Sequence, residues 1–182
     1  MIRLFVALLI PEKIKDKIIN CCNDAAGNSA VIKWEAKEKI HLTLKFIGDV
    51  KEEFLPRIIE EIQIVKKYSS FDCKISKFGF FFRESEPKIL WCDFETNKSI
   101  FSLVDELDER LSKFNIKSEK RKFKGHLTLL RIKKMVDQKF VKRFKEYKFD
   151  LINFESNQIA LIQSTLNPTG SEYKVLKNYE LK

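Results

Sequence analysis

The sequence predicts an α+β protein with antiparallel-rich sheets packed on helices, and three observations lead there. Apolar residues make up 44% of the 182, enough for a real core in one compact domain, 1–182. Only 5 Gly and 4 Pro leave little room for disordered linkers, although charged residues reach 34%. Stretches of alternating apolar and polar residues interleave with stretches of helical period, in the order β-α-β-β-α-β-β-α-β-α-β-β-β.

Ile2 to Ile10 reads as a buried strand, and Pro11 suits the first turn of a helix running to Asp24 with Ile14, Ile18 and Ile19 on one face. Ala26-Gly27-Asn28-Ser29 is a loop, and Val31 to Trp34 a short extended piece. Lys39 to Ile47 is a strand, with Ile40, Leu42, Leu44 and Phe46 alternating against His41, Thr43 and Lys45 and Gly48-Asp49 closing it. Glu52 to Lys67 has helical period through Phe54, Leu55, Ile58, Ile59 and Ile62. Two strands follow, Phe71 to Phe82 and Lys88 to Glu95, separated by the polar turn Arg83 to Pro87. A helix from Asn97 to Phe114 leads to a strand from Lys122 to Ile132, a helix from Asp137 to Tyr147, and three strands near 148–154, 158–165 and 172–181. The order contains a loose duplication, strand, helix, then a histidine-bearing strand, once in each half. No strict period of roughly 20–50 residues points to a solenoid or propeller.

The net charge of +9 and pI of 9.3 suit a polyanionic partner, because Lys and Arg that neutralise phosphates release condensed counterions. A solvated, Lys-rich surface explains the charge equally well. Cys21, Cys22, Cys73 and Cys92 show no CxxC spacing and read as reduced structural thiols. The opening run, ending at Pro11, lacks a small-residue cleavage site, and no window reaches the ~18 apolar residues of a membrane span. A cytoplasmic protein with no membrane partner is expected.

The chain has 2 histidines, and both open the same tetrapeptide, His41-Leu42-Thr43-Leu44 and His126-Leu127-Thr128-Leu129. At ordinary residue frequencies a given His is followed by Leu-Thr-Leu roughly once in a few thousand cases. On a strand, i and i+2 share a face about 6.5–7 Å apart, so each His accompanies its Thr while the leucines enter the core. Histidine titrates at about pH 6.5, so a facing pair can serve as general base and general acid. That suits phosphodiester hydrolysis, where water attacks on one side of phosphorus and the leaving oxygen is protonated on the other. Threonine hydroxyls can donate to the non-bridging oxygens as charge builds there. A single His-x-Thr would more often be a satisfied histidine at a sheet edge; the matched pair reverses that reading. A metal site would need a third ligand that neither motif supplies, although folding could bring one in.

The second motif lies in a basic run, Lys120-Arg121-Lys122-Phe123-Lys124-Gly125-His126, continued by Arg131, Lys133 and Lys134, a suitable wall for phosphates. Phe46, Trp34 and Trp91 could offer stacking faces for a terminal base, while most of the 16 Phe must be core.

These residues resemble the 2H phosphoesterase superfamily and, within it, the RNA 2′,3′-cyclic phosphodiesterases formerly called 2′-5′ RNA ligases. The resemblance spans nearly the whole chain: Arg3-Leu4-Phe5-Val6-Ala7, Lys33-Trp34, His41 through Gly48, Leu90-Trp91, and Phe123 through Arg131. It implies two similar lobes related by a pseudo-twofold axis, with one motif strand from each lining a central cleft. By the family pattern His41 would protonate the leaving 3′-oxygen and His126 would activate water, leaving a 2′-phosphomonoester. Thr43 and Thr128 would hold the phosphate, and Arg131 would add positive charge, with Phe46 and Lys124 as further substrate-binding candidates. No cofactor and no metal are implied; the expected partner is RNA with a 2′,3′-cyclic phosphate end, tRNA-derived ends included, acted on by a monomer. The family often has proline where this chain has Gly125, which would leave the approach to His126 more flexible. Arg131 lies five residues past His126, so strict alternation would send it to the opposite face unless the strand twists, bulges or ends. Joining or cleaving 2′-5′ linkages at the same site, a non-catalytic basic RNA-binding module, and a phosphodiesterase for small cyclic nucleotides remain open alternatives.

Overall fold

The computed structural model describes residues 1–27, 32–119, 121–168 and 170–182; Asn28, Ser29, Val31 and Lys120, which belong to the expected loop, extended piece and basic run, lie outside them. The elements are β1 (Ile2–Leu9), α1 (Glu12–Ala26), β2 (His41–Val50), α2 (Leu55–Ile62), β3 (Phe71–Ile75), β4 (Phe78–Arg83), β5 (Glu86–Asp93), β6 (Glu95–Thr96), α3 (Ser99–Leu111), β7 (His126–Arg131), α4 (Gln138–Glu146), β8 (Ile152–Ser156), β9 (Gln158–Asn167) and β10 (Gly170–Glu180). The fold is α+β and two-lobed. One lobe is built on a four-stranded sheet, β10-β9-β1-β2, and the other on a three-stranded sheet, β4-β5-β7. A further sheet, β6-β3-β8, completes the set, and every strand pairing is antiparallel.

The apolar faces expected of the helices decide the packing. Helices α2 and α3 pack together, with α3 against β2, while α1 and α4 pack together, with α4 against β4. Leu4, Val6 and Leu8 of β1 join Ile58, Ile62, Leu103 and Leu107 in the main core, whereas Phe5 and Ala7, pointing the other way, join Ala160 and Ile162 in a small second cluster. Asp137 caps α4, its carboxylate accepting the Phe140 amide at 2.6 Å.

Several expected boundaries are corrected. The single strand expected from Phe71 to Phe82 is two strands in different sheets. The break at Ser76-Lys77 is held by buried Asp93, whose carboxylate accepts both backbone amides (2.8 and 3.0 Å) and the Ser76 hydroxyl (2.6 Å). The helix expected over Glu52 to Lys67 is α-helical only in α2 and tightens to 3₁₀ turns on both sides. Residues 32–36 form no strand, and the strand expected from Lys122 begins only at His126. Gly48 does not close β2; at φ +81° it sits in a bulge and the strand runs on to Val50. The polar turn after β4 places Glu84 (φ +50°) and Ser85 (φ +67°) in the left-handed region, which suits the twist of a tight hairpin.

Candidate active site

His41 opens β2, an edge strand, and pairs with Leu9 of β1; Thr43 pairs with Ala7. Residues directly opposite in an antiparallel pair share a face, so both side chains lie on the side away from the main core. Leu44 is then skipped in the register, since Val6 faces Lys45 while Ala7 faces Thr43. That bulge turns Leu44 and Lys45 inward together, both 4% exposed, and returns Phe46 to the face of His41 and Thr43. Two sequence expectations are corrected by it. Lys45 belongs to the core side, where its ammonium pairs with Asp108 and donates to the Lys117 carbonyl at 2.9 Å. Phe46, expected in the alternation of core residues, is 68% exposed and sits beside Phe5.

The second motif repeats the device. His126 pairs with Asp93 and Thr128 with Trp91, after which Leu129 is skipped and Leu130 faces Leu90. Arg131, opposite Ile89, is thereby brought back to the side of His126 and Thr128, where unbroken alternation would have sent it away. In both strands the extra residue is the last leucine of His-Leu-Thr-Leu, and the fifth residue beyond the histidine returns to the histidine face. That residue is Phe46 in one lobe and Arg131 in the other. The two strands approach each other across the cleft, their Cα atoms coming within 8 Å. Glu35, on the segment that precedes β2, is held to β7: its amide donates to the Leu129 carbonyl (2.8 Å) and its carboxylate lies 3.5 Å from Arg131 Nε.

The surroundings of the two imidazoles differ. His126 is partly exposed, packs edge-on against Phe81 (centroids 4.9 Å), and holds Nδ1 2.9 Å from the Lys124 carbonyl oxygen. Only a protonated Nδ1 can make that bond, so neutral His126 carries its hydrogen there and presents Nε2 as an acceptor. His41 is 9% exposed, stacked on Phe5 (5.0 Å, 27°) and edged by Tyr173 (5.6 Å), and its Nδ1 has no partner among the described residues. Burial, with the positive charges of Lys15 and Arg131 added, pushes His41 from 6.5 down to about 4, so in the ligand-free protein it is neutral at pH 7. Lys15 is itself buried, its ammonium 2.7 Å from Glu12.

The remaining candidates separate. Lys124 turns its ammonium over the rings of Trp91 (5.1 Å) and Phe81 (6.0 Å) while its carbonyl orients His126. Trp91 is only 9% exposed under that cover, and Trp34 packs against Phe144 and donates to Asn23, so of the three aromatics considered as stacking faces Phe46 alone is open. Gly125 is a site of close approach rather than of flexibility: a Cβ there would lie 2.4 Å from the Phe94 carbonyl oxygen. Among the described residues no group of three or more His, Cys, Asp or Glu side chains could hold a metal ion, and no helix is long and apolar enough to cross a membrane. The four cysteines are free, and burial pushes their thiols up. Sequence reasoning gave no site role to Phe5, Lys15, Glu35, Phe81 and Tyr173, which the fold brings to the two motifs from other strands, from α1 and from the segment before β2.

Two lobes that each carry a His-x-Thr strand define a 2H phosphoesterase. Within that class the chain belongs to the LigT like Phosphoesterase family, whose model matches residues 8–91 and 93–173. It is 35% identical over 182 residues to the RNA 2′,3′-cyclic phosphodiesterase of Methanocaldococcus jannaschii, covering 97% of this chain and 99% of that one. To the RNA 2′,3′-cyclic phosphodiesterase of Thermotoga maritima it is 31% identical over 175 residues, with 96% and 92% covered. Its fold matches a crystal structure from Thermus thermophilus with a TM-score of 0.77 at 22% identity, covering 98% of this chain and 97% of that one. The E. coli LigT complexed with NADP+ gives 0.75 at 20%, covering 100% and 98%.

Proposed function

We propose that this chain, acting as one domain of two lobes, hydrolyses the 2′,3′-cyclic phosphate end of RNA to a 2′-phosphomonoester, with His126 as general base, His41 as general acid and no metal ion. The observation that carries the assignment is the bond from His126 Nδ1 to the Lys124 carbonyl, which leaves Nε2 free to accept a proton. His126 Nε2 takes a proton from water, the water oxygen attacks phosphorus, the bond from phosphorus to the 3′-oxygen breaks, and His41 gives its proton to that oxygen. Thr43 and Thr128 donate to the non-bridging oxygens, and Arg131, on the His126 face, offsets their charge. His41 without a negative charge beside it is neutral at pH 7, and a phosphate held there raises its proton affinity, so it takes up the acid's proton from solvent as the substrate binds. The names of the relatives support the choice of RNA and of the cyclic phosphate, and the charge of +9 suits a polyanion.

The test is incubation of EDTA-treated protein with a short RNA ending in 2′,3′-cyclic phosphate, with nuclease mapping of the product. A 2′-phosphate product that tolerates EDTA, lost by about 10²–10⁴-fold in His126→Ala, is expected. Turnover abolished by chelation would point to a metal centre; RNA binding without turnover would point to a binding module.

A further inference from the structure

We propose that the site extends beyond the terminal nucleoside, for which Phe46 is already the candidate seat: the four-stranded sheet continues as a nucleobase platform that holds the preceding base on Tyr173 and Val175. This rests on the reaction proposed above. In an in-line displacement the leaving 3′-oxygen and the retained 2′-oxygen belong to the same nucleoside. That nucleoside therefore lies on the side of the group that protonates the leaving oxygen, His41 and its sheet, while water occupies the side of His126.

Strand register shows what the sheet offers there. Phe46 faces Phe5, Phe5 faces Ile162, and Ile162 faces Val175, a continuous apolar rung across β2, β1, β9 and β10. At about 4.8 Å between strands the rung is about 14 Å long, more than one base requires. Its ends are open, Phe46 at 68% and Val175 at 48%, while Phe5 and Ile162 are buried with Tyr173 packed against them. The platform is continuous with the catalytic group, because the rings of Phe5 and Tyr173 both touch that of His41.

Charge favours bases over phosphates on this face. The flanking rungs are Asp49-Arg3-Ser164-Tyr173 and Thr43-Ala7-Ala160-Asn178, and across all three rungs the charged residues are Arg3 and Asp49, which neutralise each other at 2.7 Å. The cations Arg121, Lys122, Lys133 and Lys134 are exposed on the segments flanking β7 in the other lobe. The lobes thus divide the RNA, base faces on one and phosphates on the other.

The experiment compares kcat/KM for a nucleoside 2′,3′-cyclic monophosphate and for a trinucleotide ending in 2′,3′-cyclic phosphate, at low and high salt. Wild-type protein should prefer the trinucleotide on the order of ten-fold, with a ratio that falls at high salt as phosphate contacts are screened but stays well above one because stacking remains. Tyr173→Ala should bring the ratio towards one and Val175→Trp should raise it, whereas Phe46→Ala should depress both substrates together. A wild-type ratio of one, a ratio unmoved by Tyr173→Ala, or a preference that vanishes with salt would overturn the platform while leaving the reaction standing. Failure to turn over either substrate would overturn the reaction and the platform with it.

Discussion

Acidifying the ligand-free protein should load a proton onto His41 at a cost that a His41→Gln variant does not bear. In the folded state His41 is pushed from 6.5 down to about 4 by burial, Lys15 and Arg131. Between those values the unfolded chain binds a proton that the folded one refuses. The contribution of His41 to stability is therefore fully present above about pH 6.5 and is lost as pH falls towards about 4. At about 1.36 kcal/mol per pH unit the loss is on the order of 3 kcal/mol, several tenths of the whole stability of a small domain. Urea denaturation of both proteins at a series of pH values between about 7 and 4 measures it. The wild type should lose about 3 kcal/mol more than the variant over that interval, and the difference should shrink when a 2′-phosphomononucleotide fills the site. Parallel curves for the two proteins would refute the reasoning, since a histidine titrating at its ordinary value is not held in the pocket described.

Two further outcomes concern the supports of the site. Gly125→Ala puts a methyl group into the Phe94 carbonyl, which is backbone and cannot swing aside; a loss of about 2 kcal/mol of stability and at least about ten-fold in activity is expected, read by thermal melting and turnover. Asp108→Ala leaves the Lys45 ammonium, 3% exposed, buried without its carboxylate and should cost about 3 kcal/mol in chemical denaturation, with Lys45→Met/Asp108→Ala recovering much of it.

The paired motifs, their placement on strands and the α+β class were legible because each rests on local pattern: alternation around His41 and His126, helical period in α1 and α3. What was not legible depends on partners far along the chain. A bulge is defined by the facing strand, so nothing near Leu44 announces that Val6 and Ala7 will face residues two apart. The break between β3 and β4 is set by Asp93, 16 residues beyond Lys77. The pocket around His41 joins Phe5 to Tyr173 through three strands, and the cover over Trp91 comes from Lys124. Phe46 shows the cost of reading period alone, since its apolarity fitted the core alternation that the bulge interrupts.

The shared bulge also bears on how such an enzyme can diversify. Because each extra leucine resets the strand after the threonine, the position five residues past each histidine is an outpost of the same scaffold, held by the same backbone device but separate from the two histidines. One copy has been filled with an aromatic ring and the other with a guanidinium. The backbone device fixes where these two side chains stand and leaves their chemistry free, so exchanging either one alters one end of the face without moving the histidine and threonine beside it.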